Sequence, residues 1–341
     1  MHLKKHFFKI FIIILVISSC STKQENERTY LSVKGFTQGT NYMVKYSSPD
    51  TVNYKEEIEA ILADIDTSMS TYNKHSVISR INNNEDNVRV DKYFKEVFNA
   101  AMRISEKTDG AFDITVGPLV NAWGFGQGEI RDIDSAVVDS IKQFIGYEKV
   151  KLKNGIVQKE DKRLKLNMNA IAQGYTVDVL ANFLDEKGIK NYLVEVGGEV
   201  KTKGISPSSR KWRIGIDKPV DSNYVAGQNL QAIVEIQNRA LATSGNYRNF
   251  YIKDGVKYAH TIDPKSGYPV THKLLSASVF APDCVTADAY ATAFMVMGKN
   301  KSRELVEKLK NIDAYFIYSD EEGSFKVDYS KNLKESITTV E

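Results

Sequence analysis

Residues 167–199 read NMNAIAQGYTVDVLANFLDEKGIKNYLVEVGGE, and the elements they predict are the starting point for the fold. Residues 171–187 predict a helix that ends at Gly188, because glycine readily adopts the left-handed conformation that terminates helices. Tyr192 to Val196 follow as a predicted strand, which ends at paired glycines. A single helix thus leads into a single strand, and the flanking segments show whether this alternation is repeated.

Two further helices are predicted before this stretch, because apolar residues recur there at spacings of three and four. The apolar positions are Ile58, Ile61, Leu62 and Ile65 in the first helix, and Phe94, Val97, Phe98 and Ala101 in the second. After the stretch, the sequence predicts strands at 212–216, 232–236 and 314–318 and a helix from about Thr286 to Met297. Asp254-Gly255 joins two strand-like runs and is typical of a hairpin turn.

The order of these elements does not alternate regularly between strand and helix, which favours an α+β fold over a doubly wound one. About 310 residues follow the amino-terminal signal and tether described below, enough for one large domain or two intimate subdomains. We expect one large domain at residues 31–335. It would consist of two intimate subdomains, with mostly antiparallel sheets flanked by helices and a ligand cleft between them.

The amino terminus resembles a bacterial lipoprotein signal. Lys4, Lys5 and Lys9 precede a short apolar run at residues 10–17, and two serines then lead to Cys20. A charged start, a short apolar core and small residues before a cleavage point describe a secretory signal, and the run is too short to span a bilayer. Cys20 would become the lipidated first residue. The alternative is an ordinary secretory signal with a chance cysteine.

Residues 1–19 are therefore predicted to be the signal peptide, and residues 20–30 the lipidated cysteine and a polar, flexible tether. The mature domain would lie on the extracytoplasmic, periplasmic side, held at a membrane by its lipid. Once Cys20 carries lipid, Cys284 remains as the second of the two cysteines, so we expect no intramolecular disulfide.

The charge balance gives no indication of a nucleic-acid partner. The chain has 46 basic and 43 acidic residues, and removal of the three signal lysines leaves 43 of each. Binding to nucleic acid generally requires a basic patch, which a near-neutral mature domain does not predict.

Residues 110–126, GAFDITVGPLVNAWGFG, combine four glycines and a proline with aromatic side chains. They show neither a helical stripe nor strand alternation, so regular packing does not explain them. Glycine allows backbone to approach a ligand closely, and adjacent aromatic rings suit a flat ligand with polar edges. The segment therefore predicts either a ligand-binding wall or an irregular buried loop.

Asp288 and Thr292 are four residues apart, which places them on one face of the predicted helix. A carboxylate and a hydroxyl among small alanines suit Mg²⁺, although an acidic residue near a helix start and a back-bonded threonine would give the same pattern. Asn167 and Asn169 before a helix fit either capping or an open helix start that binds phosphate.

Two other residues leave similar alternatives open. His260 lies on an apolar strand face, where it would be a buried core residue, contact a ligand or transfer a proton. Tyr72 follows the first long helix and would either stack on a ring or pack. Residues 195–199 predict either a bend or bulge or a close approach of backbone to a ligand. Residues 244–248 predict a turn whose Arg248 meets phosphate or a surface carboxylate.

Together and in this order, these segments resemble the FAD:protein FMN transferase family, also called the ApbE family. The resemblance covers essentially the whole mature chain, from Gln38-Gly39-Thr40 to about Gly298. The matching segments are residues 70–72, 110–126, 167–178, 195–199, 244–248, 260–267 and 287–292. Seven matches in the same order are far more specific than any one of them.

The resemblance implies that the chain binds FAD and, with Mg²⁺, transfers its FMN half to a threonine or serine of a target protein, releasing AMP. Targets would be flavin-carrying subunits of membrane electron-transfer complexes or other extracytoplasmic flavoproteins. The implied metal-site residues are Asp288 and Thr292 through their side chains, Ala170 through its carbonyl, and Ala291 beside them. The implied FAD contacts are Gln38, Tyr72, Ala111, Phe112, Asp113, Asn167, Gln173, His260 and Ile262.

The acceptor hydroxyl requires a base or metal to become a good nucleophile, and either Asp288 or His260 is the candidate base. The chain departs from the family at Gln38, where many members have methionine. It also departs at Asn167 and Gln173, where aspartate and lysine are common. Two alternatives remain: an FAD pyrophosphatase, in which water replaces the acceptor, and a non-catalytic lipid-anchored FAD-binding protein.

Overall fold

The elements of the fold are taken from a computed structural model that describes residues 28–126, 133–220, 227–247, 250–253 and 256–340. Cys20 and Arg248, singled out above, lie outside these residues. Within the described part of the chain, no helix has the length and apolar character needed to cross a membrane.

Eight α-helices occur in the described residues. They are α1 (Lys55–Met69), α2 (Val77–Asn82), α3 (Lys92–Lys107), α4 (Gly117–Ala122), α5 (Ser135–Lys142), α6 (Asn169–Glu186), α7 (Cys284–Met297) and α8 (Lys299–Lys308).

Fifteen β-strands accompany them. They are β1 (Tyr30–Thr37), β2 (Thr40–Ser47), β3 (Val150–Lys153), β4 (Ile156–Lys159), β5 (Tyr192–Val196), β6 (Glu199–Lys203), β7 (Trp212–Asp217), β8 (Leu230–Ile236), β9 (Ala240–Gly245), β10 (Phe250–Lys253), β11 (Val256–Ala259), β12 (Leu274–Ala281), β13 (Asp313–Ser319), β14 (Phe325–Tyr329) and β15 (Ile337–Thr339).

A single eight-stranded sheet organises the molecule, with the strand order β1-β2-β5-β6-β9-β12-β13-β14. A three-stranded sheet in the order β15-β8-β7 and two hairpins, β3-β4 and β10-β11, complete the strand pairing. Every pairing between the described strands is antiparallel. This confirms the predicted α+β class with mostly antiparallel sheets.

The two faces of the large sheet carry separate apolar cores, because successive side chains of a strand point to opposite faces. In β12, Val279 packs into the core formed with the helices, whereas its neighbour Phe280 packs with the three-stranded sheet. In β13, Phe316 and Tyr315 divide in the same way. Helices therefore cover one face of the large sheet, and the three-stranded sheet covers the other.

A smaller apolar cluster stands beside this layered body. It contains residues of α4 and α5 together with Ile262. The cleft described below lies between this cluster and the helix-covered face, as expected for two intimate parts of one domain. The last strand, β15, lies beyond residue 335, so the folded region continues past the predicted boundary.

Most predicted elements are confirmed, because their patterns are local. The helix predicted over 171–187 is α6, and Gly188 follows it with φ of 76°. The predicted hairpin is confirmed by the pairing of β10 with β11, although Asp254 and Gly255 themselves lie outside the described residues.

The expectation of no regular structure in 110–126 is wrong for Gly117–Ala122, which forms α4. Pro118 lies in its first turn, where the fixed φ of proline suits a helix start.

Helices α6 and α7 approach each other most closely at Gly174. A Cβ atom placed there would lie 2.7 Å from Cβ of Asp288 and would collide with the carbonyl oxygen of Cys284. Because backbone cannot move aside as a flexible side chain can, only glycine fits at this position. The close packing of the two helices therefore depends on a residue without a side chain.

We predict that Gly174→Ala lowers the free energy of unfolding by about 3 kcal/mol, because overpacking of a rigid contact forces the helices apart. The matched control is Gly188→Ala, which places a Cβ in open space and costs only about 1 kcal/mol for the left-handed backbone. Urea denaturation of both variants tests this. Equal losses of stability would show that the α6–α7 contact is not tight.

Candidate active site

A cleft of about 730 Å³ lies where the carboxyl end of β9, the first turns of α6 and the middle of α7 meet. Eleven residues predicted for the site line it. They are Tyr72, Ala111, Phe112, Asp113, Asn167, Ala170, Gln173, His260, Ile262, Asp288 and Thr292. These residues come from distant parts of the sequence, and the fold brings them to one cavity.

Asp288 lies on the floor of the cleft and is buried. One carboxylate oxygen, Oδ2, accepts a hydrogen bond of 2.9 Å from the backbone N–H of Gly174 in α6. Burial raises the pKa of Asp288 to about 7, and the Gly174 hydrogen bond opposes that shift. In a regular helix the N–H of Gly174 would donate to the carbonyl of Ala170. The Asp288 carboxylate competes with the Ala170 carbonyl for the N–H of Gly174. The carbonyl oxygen of Ala170 is therefore more available to bind another partner.

Asp178 makes the reciprocal contact from α6 to α7. Its Oδ2 accepts a hydrogen bond of 2.8 Å from the backbone N–H of Val285, and its Oδ1 lies 2.6 Å from Nζ of Lys201. The helix start of α7 is also capped by Asp283, whose side chain accepts from the N–H of Thr286. The N-cap position of α7 is therefore filled by Asp283, and Asp288 does not act as the cap.

Thr292 lies one turn after Asp288 and also faces the cleft. Its hydroxyl is 3.2 Å from the hydroxyl of Ser244 at the end of β9. Asp288, Thr292 and Ser244 together present one carboxylate and two hydroxyls on the cleft floor. Such oxygen donors match the preferences of a hard cation.

Glu199 is the first residue of β6 and lies in the segment for which the sequence predicted a bend or bulge, or a close approach to a ligand, with no role for Glu199 itself. It lines the cleft, it is 8% exposed, and its Oε2 has no hydrogen-bond partner among the described residues. Burial raises its pKa well above the usual range, and the negative charge of Asp288 adds to this. The available signal was strand alternation, which places Glu199 on the same face as Lys201.

The wall formed by residues 110–126 is held by internal hydrogen bonds. Asp113 accepts from the backbone N–H of Thr115 at 2.7 Å and from that of Tyr147 at 2.9 Å, and burial raises its pKa to about 6. Because both carboxylate oxygens are occupied by backbone donors, Asp113 shapes the wall. Trp123 donates from Nε1 to the carbonyl of Gly267 at 2.8 Å, which joins the wall to the segment after His260.

Aromatic rings continue from this wall to the β10-β11 hairpin. Phe125 stacks on Tyr251 with ring centroids 5.2 Å apart, and Tyr251 stacks on Tyr258 at the same distance. Tyr258 in turn stacks on Trp123 at 5.9 Å. His260 presents its ring at an angle to Phe125, 6.4 Å away. His260 is thus placed at the cleft by aromatic packing, so the interpretation as a core histidine is wrong.

The rim of the cleft carries an exposed tyrosine and two cations. Tyr72 is 73% exposed, and Lys74 and Lys165 also line the cavity. The strand-like segment before α6 is fixed by Asn82, whose amide donates to the carbonyl of Leu166 at 2.8 Å and accepts from its N–H at 2.7 Å. This bidentate contact positions Lys165 beside the cleft.

Gln38 and Ala291 do not line the cleft in the part of the chain that the structure describes. Gln38 lies at the β1-β2 turn, and its Nε2 donates to the hydroxyl of Thr176 at 2.7 Å, so its amide holds the hairpin against α6. Ala291 is fully buried in the apolar core, because the helix rotates by about 100° between it and Thr292. The fold does not bring these two residues into the cleft lining, and their predicted roles stay predictions.

Comparison with known proteins decides the family. The model of the ApbE family matches residues 38–316, a range that makes up more than half of the chain. The chain belongs to the ApbE family. Its order of site segments therefore follows a known arrangement, and the sequence resemblance is confirmed.

Named relatives of this ApbE-family chain are similar over nearly their whole length. A protein of Haemophilus influenzae named "FAD:protein FMN transferase" is 34% identical over 336 residues, which covers 94% of this chain and 95% of that protein. A protein of the same name from Vibrio cholerae is 35% identical, covering 94% of this chain and 96% of that protein.

Solved structures of ApbE proteins share the fold. The flavin transferase ApbE from Vibrio cholerae has a TM-score of 0.81 at 34% identity and covers 91% of this chain and 99% of its own. The apo form of the flavinyl transferase ApbE from Pseudomonas stutzeri has a TM-score of 0.80 at 34% identity, with 91% and 97% covered.

We predict that Lys201→Met lowers the free energy of unfolding by about 3 kcal/mol, because it leaves Asp178 buried without its cation. Lys203→Met is the matched control on the same strand and face. Lys203 pairs with Asp185 at 2.8 Å where both side chains are more than a third exposed, so its loss costs less than about 1 kcal/mol. Chemical denaturation compares the two variants, and similar losses would contradict a special role for the buried pair.

Proposed function

We propose that this chain transfers the FMN half of FAD to a threonine or serine hydroxyl of a target protein, with Mg²⁺, releasing AMP. The observation that carries the proposal is one cleft with oxygen donors on its floor and a glycine- and aromatic-rich wall. Support comes from relatives named FAD:protein FMN transferase that are similar over about nine-tenths of the chain.

The residues on the cleft floor fit a magnesium ion. Asp288, Thr292 and the carbonyl of Ala170 would hold it, and Ser244 lies within reach of Thr292. No group of three or more His, Cys, Asp or Glu side chains suited to a metal occurs among the described residues, so hydroxyl and carbonyl oxygens would complete the site. Mg²⁺ bound there would neutralise charge on the pyrophosphate and on the leaving AMP.

The transfer itself breaks the phosphoric anhydride linkage of the pyrophosphate and forms a phosphate ester. The acceptor hydroxyl oxygen forms a bond to the phosphorus of the FMN half, and the bond from that phosphorus to the AMP oxygen breaks. The hydroxyl proton passes to a base. We assign this role to His260, because its ring lies at the cleft wall beside Phe125, whereas a metal-bound Asp288 would be a weak base.

Lys165 and Lys74 would supply positive charge for the phosphates. The family's common aspartate and lysine are replaced here by Asn167 and Gln173, which removes a cation from this region. Both rim lysines line the same cleft, so they provide the missing charge from neighbouring positions.

The proposed site of action is the extracytoplasmic side of a membrane, where Cys20 would carry the lipid anchor. The pattern of residues 1–20 supports this assignment. Acceptors would then be extracytoplasmic flavoproteins, including flavin-carrying subunits of membrane electron-transfer complexes. Residues 20–30 would give the catalytic domain reach above the membrane surface.

The central test combines the chain without its signal, FAD, Mg²⁺ and a candidate acceptor domain. We expect the acceptor mass to increase by one FMN unit, with equimolar AMP. Release of FMN and AMP without acceptor modification would instead identify a pyrophosphatase, and tight FAD binding without turnover would identify a carrier.

Asp288→Ala should abolish turnover while FAD binding largely survives, and unchanged turnover in that variant would refute the assigned metal site.

We predict that Lys165→Ala weakens FAD binding by about fivefold to tenfold, with the difference shrinking as salt increases, because a phosphate contact at the rim is lost. Lys162→Ala is the control, since Lys162 is exposed in the same segment and does not line the cleft. Flavin fluorescence titrations measure both variants. Equal affinities in the two variants would show that Lys165 does not contact the substrate.

A further inference from the structure

Glu199 is a buried carboxylate that takes no part in the reaction steps proposed above. Its side chain lines the cleft and is more than nine-tenths buried, and Oε2 has no partner within the described residues. A buried polar oxygen without a hydrogen bond or a cation costs several kcal/mol, so such an atom calls for an explanation.

Lys201, the positively charged residue nearest to Glu199 along β6, already pairs with Asp178. Strand alternation places Glu199 and Lys201 on one face of β6, whereas Val200 packs into the core on the other face. Lys201 is 2.6 Å from Asp178, which also accepts a backbone hydrogen bond from α7. Lys201 is therefore committed to Asp178 and does not supply the cation for Glu199.

A second acid, Asp288, lines the same cavity. Asp288 and Glu199 are both buried, at 6% and 8% exposed. Two ionised carboxylates buried in one cavity repel each other unless a cation lies between them. A divalent cation would make this pair electrically neutral and would give Oε2 of Glu199 its missing partner.

We propose that Glu199 is a further oxygen ligand, direct or through one water molecule, of the divalent cation held by Asp288, Thr292 and Ala170. The inference rests on the magnesium part of the proposed function. It assigns the cation two carboxylates rather than one. Binding of the cation would then not depend on the phosphates of FAD, because two carboxyl groups that lose their protons as the cation binds would supply the negative charge.

The test measures cation binding by the chain without FAD, with Mn²⁺ as the probe. Titrations followed by electron paramagnetic resonance give the affinity for the wild type, Glu199→Gln and Glu195→Gln. The control residue Glu195 lies on β5 of the same hairpin, and its Oε1 accepts from the N–H of Gly198 at 2.8 Å, but it does not line the cleft. We expect Glu199→Gln to weaken Mn²⁺ binding at least about tenfold and Glu195→Gln to leave it unchanged.

Thermal unfolding of the same proteins separates a ligand from a structural residue. Mn²⁺ should raise Tm of the wild type and of Glu195→Gln, and raise it much less for Glu199→Gln, whose Tm without metal should be no lower than that of the wild type. Glu199→Asp, which keeps the charge on a shorter side chain, should recover part of the affinity. Wild-type Mn²⁺ affinity in Glu199→Gln, or a low Tm in that variant with and without metal, would overturn the inference.

Failure of this inference is distinguishable from failure of the proposed function. If Mn²⁺ affinity depends on Glu199 but no acceptor gains FMN, the cation site stands and the transferase assignment falls. If FMN is transferred while Mn²⁺ affinity is independent of Glu199, the transferase assignment stands and Glu199 is not a ligand.

Discussion

The reciprocal hydrogen bonds between α6 and α7 are the constraint on which the site depends. Helix α7 presents Asp288 to the N–H of Gly174, and helix α6 presents Asp178 to the N–H of Val285. Both contacts require the helices to touch, which Gly174 permits. Because each carboxylate is buried, loss of either hydrogen bond within the packed structure would leave a buried oxygen without that donor. The same junction that stabilises the fold therefore forms the floor of the cleft.

Local patterns predicted most of the fold and much of the site, and tertiary contacts decided the rest. The spacing of Asp288 and Thr292 placed them on one helix face, and both line the cleft. Glu199 was missed because its importance comes from the proximity of α7, far away in sequence. The hydrogen-bond partners of Asp113 could not be predicted for a related reason, since the backbone donor at Tyr147 reaches it only in the fold.

The charges in the cleft are separated along its depth. Carboxylates lie on the floor, and the lysines at positions 74 and 165 lie at the rim beside the exposed ring of Tyr72. A substrate with a flat ring system, a pyrophosphate and a second base would meet different chemistry at each part of the cavity. Such a separation would orient a dinucleotide in a fold that is not doubly wound, since the sheet here is antiparallel.

The stacked rings beside the wall give the protein an internal optical reporter. Of its two tryptophans, Trp123 belongs to that stack, whereas Trp212 packs on the opposite face of the large sheet. Flavins absorb light in the range in which tryptophan emits, and energy transfer falls steeply with distance. Occupancy of the cleft by a flavin would therefore quench the emission of Trp123 more strongly than that of Trp212. Substrate loading can thus be followed in the unlabelled protein.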